Sequence, residues 1–222
     1  MKRLIFIWLA CFLAMYGHAQ CAAKNDAILP GEHLTYELKF NWKFIWVSAG
    51  KAQMKLDATT YQGKPCYKTE LLSVSYKNNK CIVDQQRMRP GRQTIVKKDT
   101  LDECVYDMLS ILLQARSFDP TSYKKGDKIF FPMATGKKVE EQTLIYRGKE
   151  VFEAENGVKY RCLVFSLVEY EKNKEKEVIT FYVTDDKNHL PVRLDLYLNF
   201  GSAKAFLETV EGNRHPLTSI IK

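Results

Sequence analysis

Apolar and polar residues alternate with a period of two along much of the chain, and this pattern constrains the fold more than any other feature. Residues 34–40, 163–167 and 192–198 place apolar side chains at every second position, which is typical of strands with one buried face. Further strand-like runs cover residues 66–74, 80–89, 143–147, 177–184 and 203–210. Turn residues separate these runs, and Asn156-Gly157 predicts a tight hairpin because both residues tolerate positive φ.

Strands that follow one another through tight turns form antiparallel meanders. Long antiparallel strands that are apolar on one face either pack against a second sheet or curl around their own core. We therefore predict a mainly β fold, a strongly curved antiparallel sheet or half-barrel. Gly50 is a natural position for a bulge or a sharp bend in this sheet.

Residues 102–116 follow a helical period instead. Asp102 suits an N-cap and Arg116 suits the last turn. The apolar residues recur at intervals of three and four: Val105, Met108, Leu109, Leu112 and Leu113. This pattern predicts one amphipathic helix packed against the sheet, either covering one face or closing a cavity that the sheet encloses.

The start of the chain predicts export. Lys2 and Arg3 precede an apolar run over residues 4–15, and small residues occupy positions 17 and 19. This order is typical of a secretory signal peptide over residues 1–19, and the run is too short to span a bilayer permanently. We expect one β-rich domain over residues 20–222, without a transmembrane span, in the periplasm. Lipid anchoring through Cys21 is the alternative.

The formal net charge of +8 comes from basic residues interspersed with acidic ones. Such mixed runs are typical of solvated loops, so we expect no nucleic-acid partner. The six cysteines show no C-x-x-C spacing, and we expect no metal and no cofactor. Cys66 and Cys81 flank a predicted hairpin and form the best candidate for a disulfide, although spacing alone leaves the connectivity open.

Motifs of catalysis are missing from the sequence: it has no G-x-S-x-G elbow, no phosphate-binding glycine loop and no H-E-x-x-H helix. We interpret Asp185 and Asp186 as turn formers and His189 as a local hydrogen-bonding group. Arg116 and Asp119 flank the helix end and suggest a structural ion pair. We therefore expect that the protein is not an enzyme.

An aromatic group near the first strand has the strongest claim to a role beyond the scaffold. Trp42, Phe44 and Trp46 have the spacing of residues on one face of a strand. They would pack in the core, form the wall of an apolar pocket, or contact a membrane or a partner.

Four segments together resemble the exported bacterial domain-of-unknown-function family 3108, in a Bacteroides-like member. They are GEHLTYELKFNW, VSAGKAQMKL, CVYDMLSILLQARSFD and FYVTDDKNHLPVRLDLYLNFGSAKAFLE, and they match the family's G-E-x-L-x-Y, A-G-x-A, Y-D-x-L-S-to-Arg and D-x-x-x-x-P-V landmarks. The resemblance implies a periplasmic β-rich domain. It also implies a curved antiparallel sheet with a helix against it, similar to lipoprotein-carrier folds. It supplies no catalytic residue.

Three hypotheses for function remain. The first is a carrier or sensor of an apolar or lipid ligand held between the curved sheet and the helix. Its ligand-binding residues would be Trp42, Phe44, Trp46, Val105, Met108, Leu109 and Leu112. The second is a structural or adaptor protein of the cell envelope that binds a protein partner. The third is a hydrolase with an unrecognised site.

Overall fold

The computed structural model describes residues 25–42, 45–61, 63–77, 80–83, 106, 108–134, 139–171, 174–198 and 201–221. The strands are β1 (Glu32–Trp42), β2 (Ile45–Tyr61), β3 (Lys64–Lys77), β4 (Lys80–Val83), β5 (Lys128–Ala134), β6 (Val139–Glu153), β7 (Lys159–Glu171), β8 (Lys174–Thr184), β9 (Pro191–Leu198), β10 (Gly201–Glu211) and β11 (Ile220–Ile221). The helix α1 covers Met108–Ala115, and a 3-10 turn covers Pro120–Ser122.

All eleven strands belong to one sheet. Its order is β4-β3-β2-β1-β10-β9-β8-β7-β6-β5, and β11 extends the sheet beside the start of β7. Two antiparallel meanders, β1–β4 and β5–β10, meet where β1 pairs with β10. Within the described residues, β4 and β5 are the two ends of this order and do not pair with each other. The predicted curved antiparallel sheet is confirmed.

Bulges bend the long strands. Leu38 faces Gly50, whereas Lys39 faces Ser48, so Ala49 is an extra residue in β2. Gly50 has a φ of +147°, which favours glycine because it lacks a Cβ. The bulge predicted at this position is confirmed. A second bulge lies in β6 at Gly148, whose φ is +100°.

Two adjoining apolar clusters fill the inner face of the sheet. One joins β5–β8 to the inward side of α1 and contains Leu163, Phe165 and Phe181, with Leu112 packed against them. The other joins β1 and β2 to Leu113 of α1. Leu194 contacts both clusters. The helix therefore packs on the apolar side of the sheet, as its sequence pattern predicts.

The tip of the β6–β7 hairpin folds over the outer face. The rings of Phe152 in β6 and Phe206 in β10 lie 6.1 Å apart. Three strands separate β6 from β10 in the sheet order, so a flat sheet would place these rings roughly 19 Å apart. The part of the sheet between β6 and β10 is therefore twisted or bent rather than flat.

β5 was not predicted from the sequence. Its residues KIFFPMA form a continuous apolar run that contains Pro132. Proline is tolerated in this strand because β5 ends the sheet order. The predicted helix over residues 102–116 is observed as α1; residues 101–105 and 107 lie outside the described part of the chain.

The predicted Cys66–Cys81 disulfide is wrong. Cys66 is a free thiol and faces Thr59 near the start of β3. The backbone of Cys81 faces Tyr76, near the other end of the same strand. Ten residues of extended chain separate the two positions, roughly 33 Å, whereas a bridge requires Cα atoms within about 7 Å.

Candidate functional site

Arg116 lies fully buried just after α1, and several elements supply its hydrogen-bond partners. Its Nη1 and Nη2 donate to the two carboxylate oxygens of Glu32, with Nη2 at 2.9 Å from Oε2. Nε donates to the carbonyl of Asn188 at 2.9 Å, and Nη2 also donates to the carbonyl of Ala27 at 3.1 Å. His189 Nδ1 lies 2.7 Å from the carbonyl oxygen of Arg116. We call Glu32, Arg116, Asn188 and His189 the Arg116 cluster.

The loop between β8 and β9 is held in turn by Asp186. Its Oδ1 accepts hydrogen bonds from Thr184 Oγ1 and the Asn188 backbone, both at 3.0 Å. Asn188 also bonds through its side chain to the backbone of His215, on the segment that leads to β11. The interpretation of Asp186 as a turn former and of His189 as a local hydrogen-bonding group is confirmed. The Arg116 cluster thus ties both ends of the described chain to the helix.

The pairing predicted between Arg116 and Asp119 is wrong, because Arg116 turns inward to Glu32. Asp119 instead caps the 3-10 turn, accepting from the Thr121 backbone at 2.9 Å and from its hydroxyl at 2.7 Å. These hydrogen bonds, together with one from Ser122, hold the pKa of the Asp119 carboxyl below its ordinary value. Asp119 is therefore an exposed anion at neutral pH.

The space beneath α1 is nearly filled. The cavity between Leu112 and the sheet residues Phe165 and Phe181 has a volume of about 30 Å³, enough for roughly two water molecules. The sequence predicted an apolar ligand in this place. Packing of the helix directly onto the inner face leaves no room there for a molecule of lipid size.

A larger groove lies on another side of the helix, between α1, the segment that follows it, and β5. Its volume is about 490 Å³. We call it the α1–β5 groove. The described residues that form its apolar lining include Tyr106, Ile111, Phe118, Tyr123, Phe130 and Phe131.

Aromatic contacts fix the groove wall. Phe118 stacks on Tyr123 with ring centroids 4.5 Å apart and meets Phe165 edge-on at 4.6 Å. Tyr106 meets Phe131 edge-on at 6.4 Å, and the backbone N–H of Tyr106 donates to the carbonyl of Pro132 in β5. These contacts keep the rings in place without a ligand, so the groove is preformed.

The rim of the groove is polar. Gln114, Ser117 and Ser122 are neutral, and Asp119 is the charged residue among the described lining residues. Gln114 Nε2 donates to Ser117 Oγ at 3.0 Å. The groove therefore has an aromatic wall and a rim that is neutral except for the Asp119 carboxylate. Such a groove suits a ligand with an apolar body and an uncharged polar end.

The structure separates the residues predicted to bind ligand. The chain turns between Trp42, the last residue of β1, and Ile45, the first of β2. The expectation that Trp42, Phe44 and Trp46 share one face of one strand is therefore wrong. Trp46 lies beside Lys204, which alternates with the inward-facing Ala205 and so belongs to the outer face.

Leu112, in contrast, faces the inner cluster, so Trp46 and Leu112 line different sides of the sheet. Phe44 and Val105 lie outside the described residues, and for Trp42, Met108 and Leu109 the structure describes the backbone, in β1 and α1.

Sequence reasoning missed both the Glu32–Arg116 pair and the α1–β5 groove. Glu32, Arg116 and Asp186 each belong to one of the landmark segments that carry the family resemblance. Their membership of these segments was the feature of the sequence that could have indicated that they lie close together. The groove had no such signal, because β5 itself was missed.

Within the described residues, no group of histidine, cysteine or acidic side chains could hold a metal ion. No helix in this part of the chain has the length and apolar character that a bilayer crossing requires.

Comparisons with known proteins identify a family and one solved structure of low similarity. No curated protein matches the chain. Among solved structures, the chain is similar to a crystal structure of a β-barrel-like protein of the domain of unknown function DUF1849 from Brucella abortus. The two are 8% identical, the match covers 83% of this chain and 98% of that one, and the TM-score is 0.42. The model of the family described as a protein of unknown function (DUF3108) matches residues 67–208, and the chain belongs to this family.

Proposed function

We propose that this protein is exported to the periplasm and binds an apolar molecule with an uncharged polar end in the α1–β5 groove. It would act as a carrier or sensor rather than as an enzyme. The observation that carries the proposal is the groove itself, about 490 Å³ in volume and lined by aromatic side chains. That volume lies within the usual range of small-molecule sites, roughly 300–1,000 Å³.

The charge at the rim supports an uncharged ligand end. An anionic headgroup would lie close to Asp119, whose carboxylate oxygens already accept hydrogen bonds from Thr121 and Ser122. Two negative charges placed this close together repel each other. Hydroxyl or amide groups, in contrast, can pair with Gln114 and Ser117 at the rim.

Binding of the neutral dye Nile red tests the proposal. The wild type should bind it saturably, with increased fluorescence. Ser122→Trp places a large side chain at the exposed rim and should weaken binding by about tenfold, and Phe130→Ser should weaken it by removing part of the wall. Tyr67→Ser is the matched control, because Tyr67 is 52% exposed and Phe130 57% exposed, but Tyr67 lies on β3, away from the groove.

Displacement of the dye then tests the ligand class. A monoacylglycerol should displace Nile red at lower concentration than a fatty acid of equal chain length. If the wild type shows no saturable binding, or if Tyr67→Ser and Phe130→Ser weaken it equally, the groove is not a ligand site.

A cell-envelope adaptor is the second candidate function. The observation that favours it is the filled space beneath α1 together with apolar side chains exposed at the start of β2. An adaptor would bind its partner through that surface and would show no dye binding in the groove.

A further inference from the structure

Two neighbouring hairpins expose apolar side chains at the same end of the sheet. β1 pairs with β2 on one side and with β10 on the other, so that Phe40 faces both Val47 and Ala203. Ala203 in turn faces Leu196 of β9. The start of β2 and the end of β9 therefore lie at the same end of the sheet, with β1 and β10 between them. We call the following exposed residues the hairpin-end patch: Ile45, Trp46, Val47, Tyr197 and Leu198, which are 40–66% exposed.

The patch exposes consecutive residues. Successive side chains of a strand point to opposite faces of the sheet, so Trp46 and its neighbours Ile45 and Val47 are exposed on both faces. A protein surface docked on one face would cover alternate residues only. A fluid apolar layer that surrounds the hairpin ends would cover all of them, as a lipid bilayer does.

Positive charge borders the patch. The Lys204 ammonium lies 4.6 Å from the centroid of the Trp46 ring. Residues 38–50 and 196–207 contain no acidic residue. Lys39 pairs with Glu37 and Glu155, so Lys204 is the described lysine that supplies charge beside the patch. Tryptophan and tyrosine beside lysine are typical of segments at the boundary between lipid headgroups and acyl chains, and a lysine there favours anionic lipid.

We infer that the hairpin-end patch inserts into the surface of a bilayer that contains anionic phospholipid. This inference rests on exposure and charge at the start of β2 and the end of β9 and is independent of the α1–β5 groove. It also assigns Trp46, which the groove leaves without a role, to the contact with lipid.

Co-sedimentation with vesicles tests the inference. The purified protein should bind vesicles of phosphatidylcholine with phosphatidylglycerol, and bind pure phosphatidylcholine more weakly. Val47→Ser should weaken binding by roughly tenfold because it removes an inserted side chain. Val151→Ser is the matched control: Val151 is 60% exposed but lies near the β6–β7 turn, at the opposite end of the sheet, and its substitution should leave binding unchanged.

Charge reversal and fluorescence complete the test. Lys204→Glu should weaken binding to the anionic vesicles by about tenfold or more at low salt, and by less at high salt. Tryptophan emission should shift to shorter wavelength on binding in the wild type. Ser122→Trp, which blocks the groove, should still sediment with vesicles, so a failure of the groove proposal is separable from a failure here.

The inference is overturned if the wild type does not bind anionic vesicles, which would leave the patch to a protein partner. Equal effects of Val47→Ser and Val151→Ser would also overturn it, as would binding that is insensitive to Lys204→Glu.

Discussion

Glu32 and Arg116 are separated by 84 residues in the chain, yet they form a bidentate ion pair in which each side chain is 1% exposed. The pair joins the start of β1 to the end of α1. Because Arg116 also donates to Asn188 and Ala27, all its nitrogens have partners. A fully paired buried cluster of this kind fixes the helix position that forms one side of the groove.

Breaking this pair should be costly. Glu32→Gln or Arg116→Met alone leaves a buried group unpaired, and we expect each to lower the free energy of unfolding by about 3–5 kcal/mol. The combined Glu32→Gln/Arg116→Met variant should lose less than the sum of the two. Urea denaturation measures all three. Additive losses would mean that the two side chains do not interact.

Filling the space beneath α1 should strain the core. Leu112→Trp overpacks a cavity of about 30 Å³, and we expect it to cost about 1–3 kcal/mol in the free energy of unfolding. Ser122→Trp, at the exposed rim of the groove, should change stability by less than about 0.5 kcal/mol. If Leu112→Trp leaves stability unchanged but abolishes dye binding, the ligand lies beneath the helix.

Gly212 lies close to the backbone of Gly31. A Cβ added at Gly212 would lie 2.7 Å from the Gly31 carbonyl oxygen, whereas one at Gly63 would have no neighbour within 4 Å. Both glycines have positive φ, so alanine is strained at either position. Gly212→Ala should therefore destabilise more than Gly63→Ala, by about 1–3 kcal/mol. Equal midpoints of thermal unfolding would show that the backbone yields at Gly212.

Alkaline pH should destabilise the fold through the buried Cys162 thiol. Burial raises the pKa of this thiol from 9.0 to about 12. Below pH 9 the thiol is protonated in both the folded and the unfolded chain, and stability does not depend on it. As the pH rises from 9 towards 12, the unfolded chain ionises first, and the free energy of unfolding falls by about 1.4 kcal/mol per pH unit for this group.

Cys162→Ala should therefore flatten the fall in stability just above pH 9. Burial also raises the pKa of Tyr36 above its ordinary value of 10.0, so a second decline should begin near pH 10 in both proteins. Urea titrations at successive pH values separate the two steps. An unchanged slope above pH 9 in Cys162→Ala would contradict this assignment.

The sequence was sufficient to predict the class of fold, because alternation over residues 34–40 and 192–198 is a local property that the sheet preserves. The bulge at Gly50 and the hairpin at Asn156-Gly157 were predicted correctly, because Gly50 and Gly157 adopt a positive φ that few other residues tolerate. Asn156 does not have positive φ. The curl of the sheet followed from the need to bury one apolar face.

Long-range pairing was not predictable in this way. Arg116 was assigned to Asp119, which is close in sequence, whereas its partner Glu32 comes close only when β1 and the end of α1 meet. Cys66 and Cys81 flank a hairpin in sequence, but the length of β3 separates them. When strands are long, two residues that are close in sequence can lie at opposite ends of a strand. Sequence spacing therefore does not predict the distance between their side chains.

Native mass spectrometry of the protein purified from its own cells tests most directly the claim that the α1–β5 groove holds an apolar ligand. We expect a species heavier than the chain alone, with an additional mass that is released on denaturation and identified as a neutral lipid-like molecule. That species should be diminished in Ser122→Trp and retained in Tyr67→Ser. The bare chain mass in the wild type, or an additional mass that Ser122→Trp retains in full, would contradict the claim.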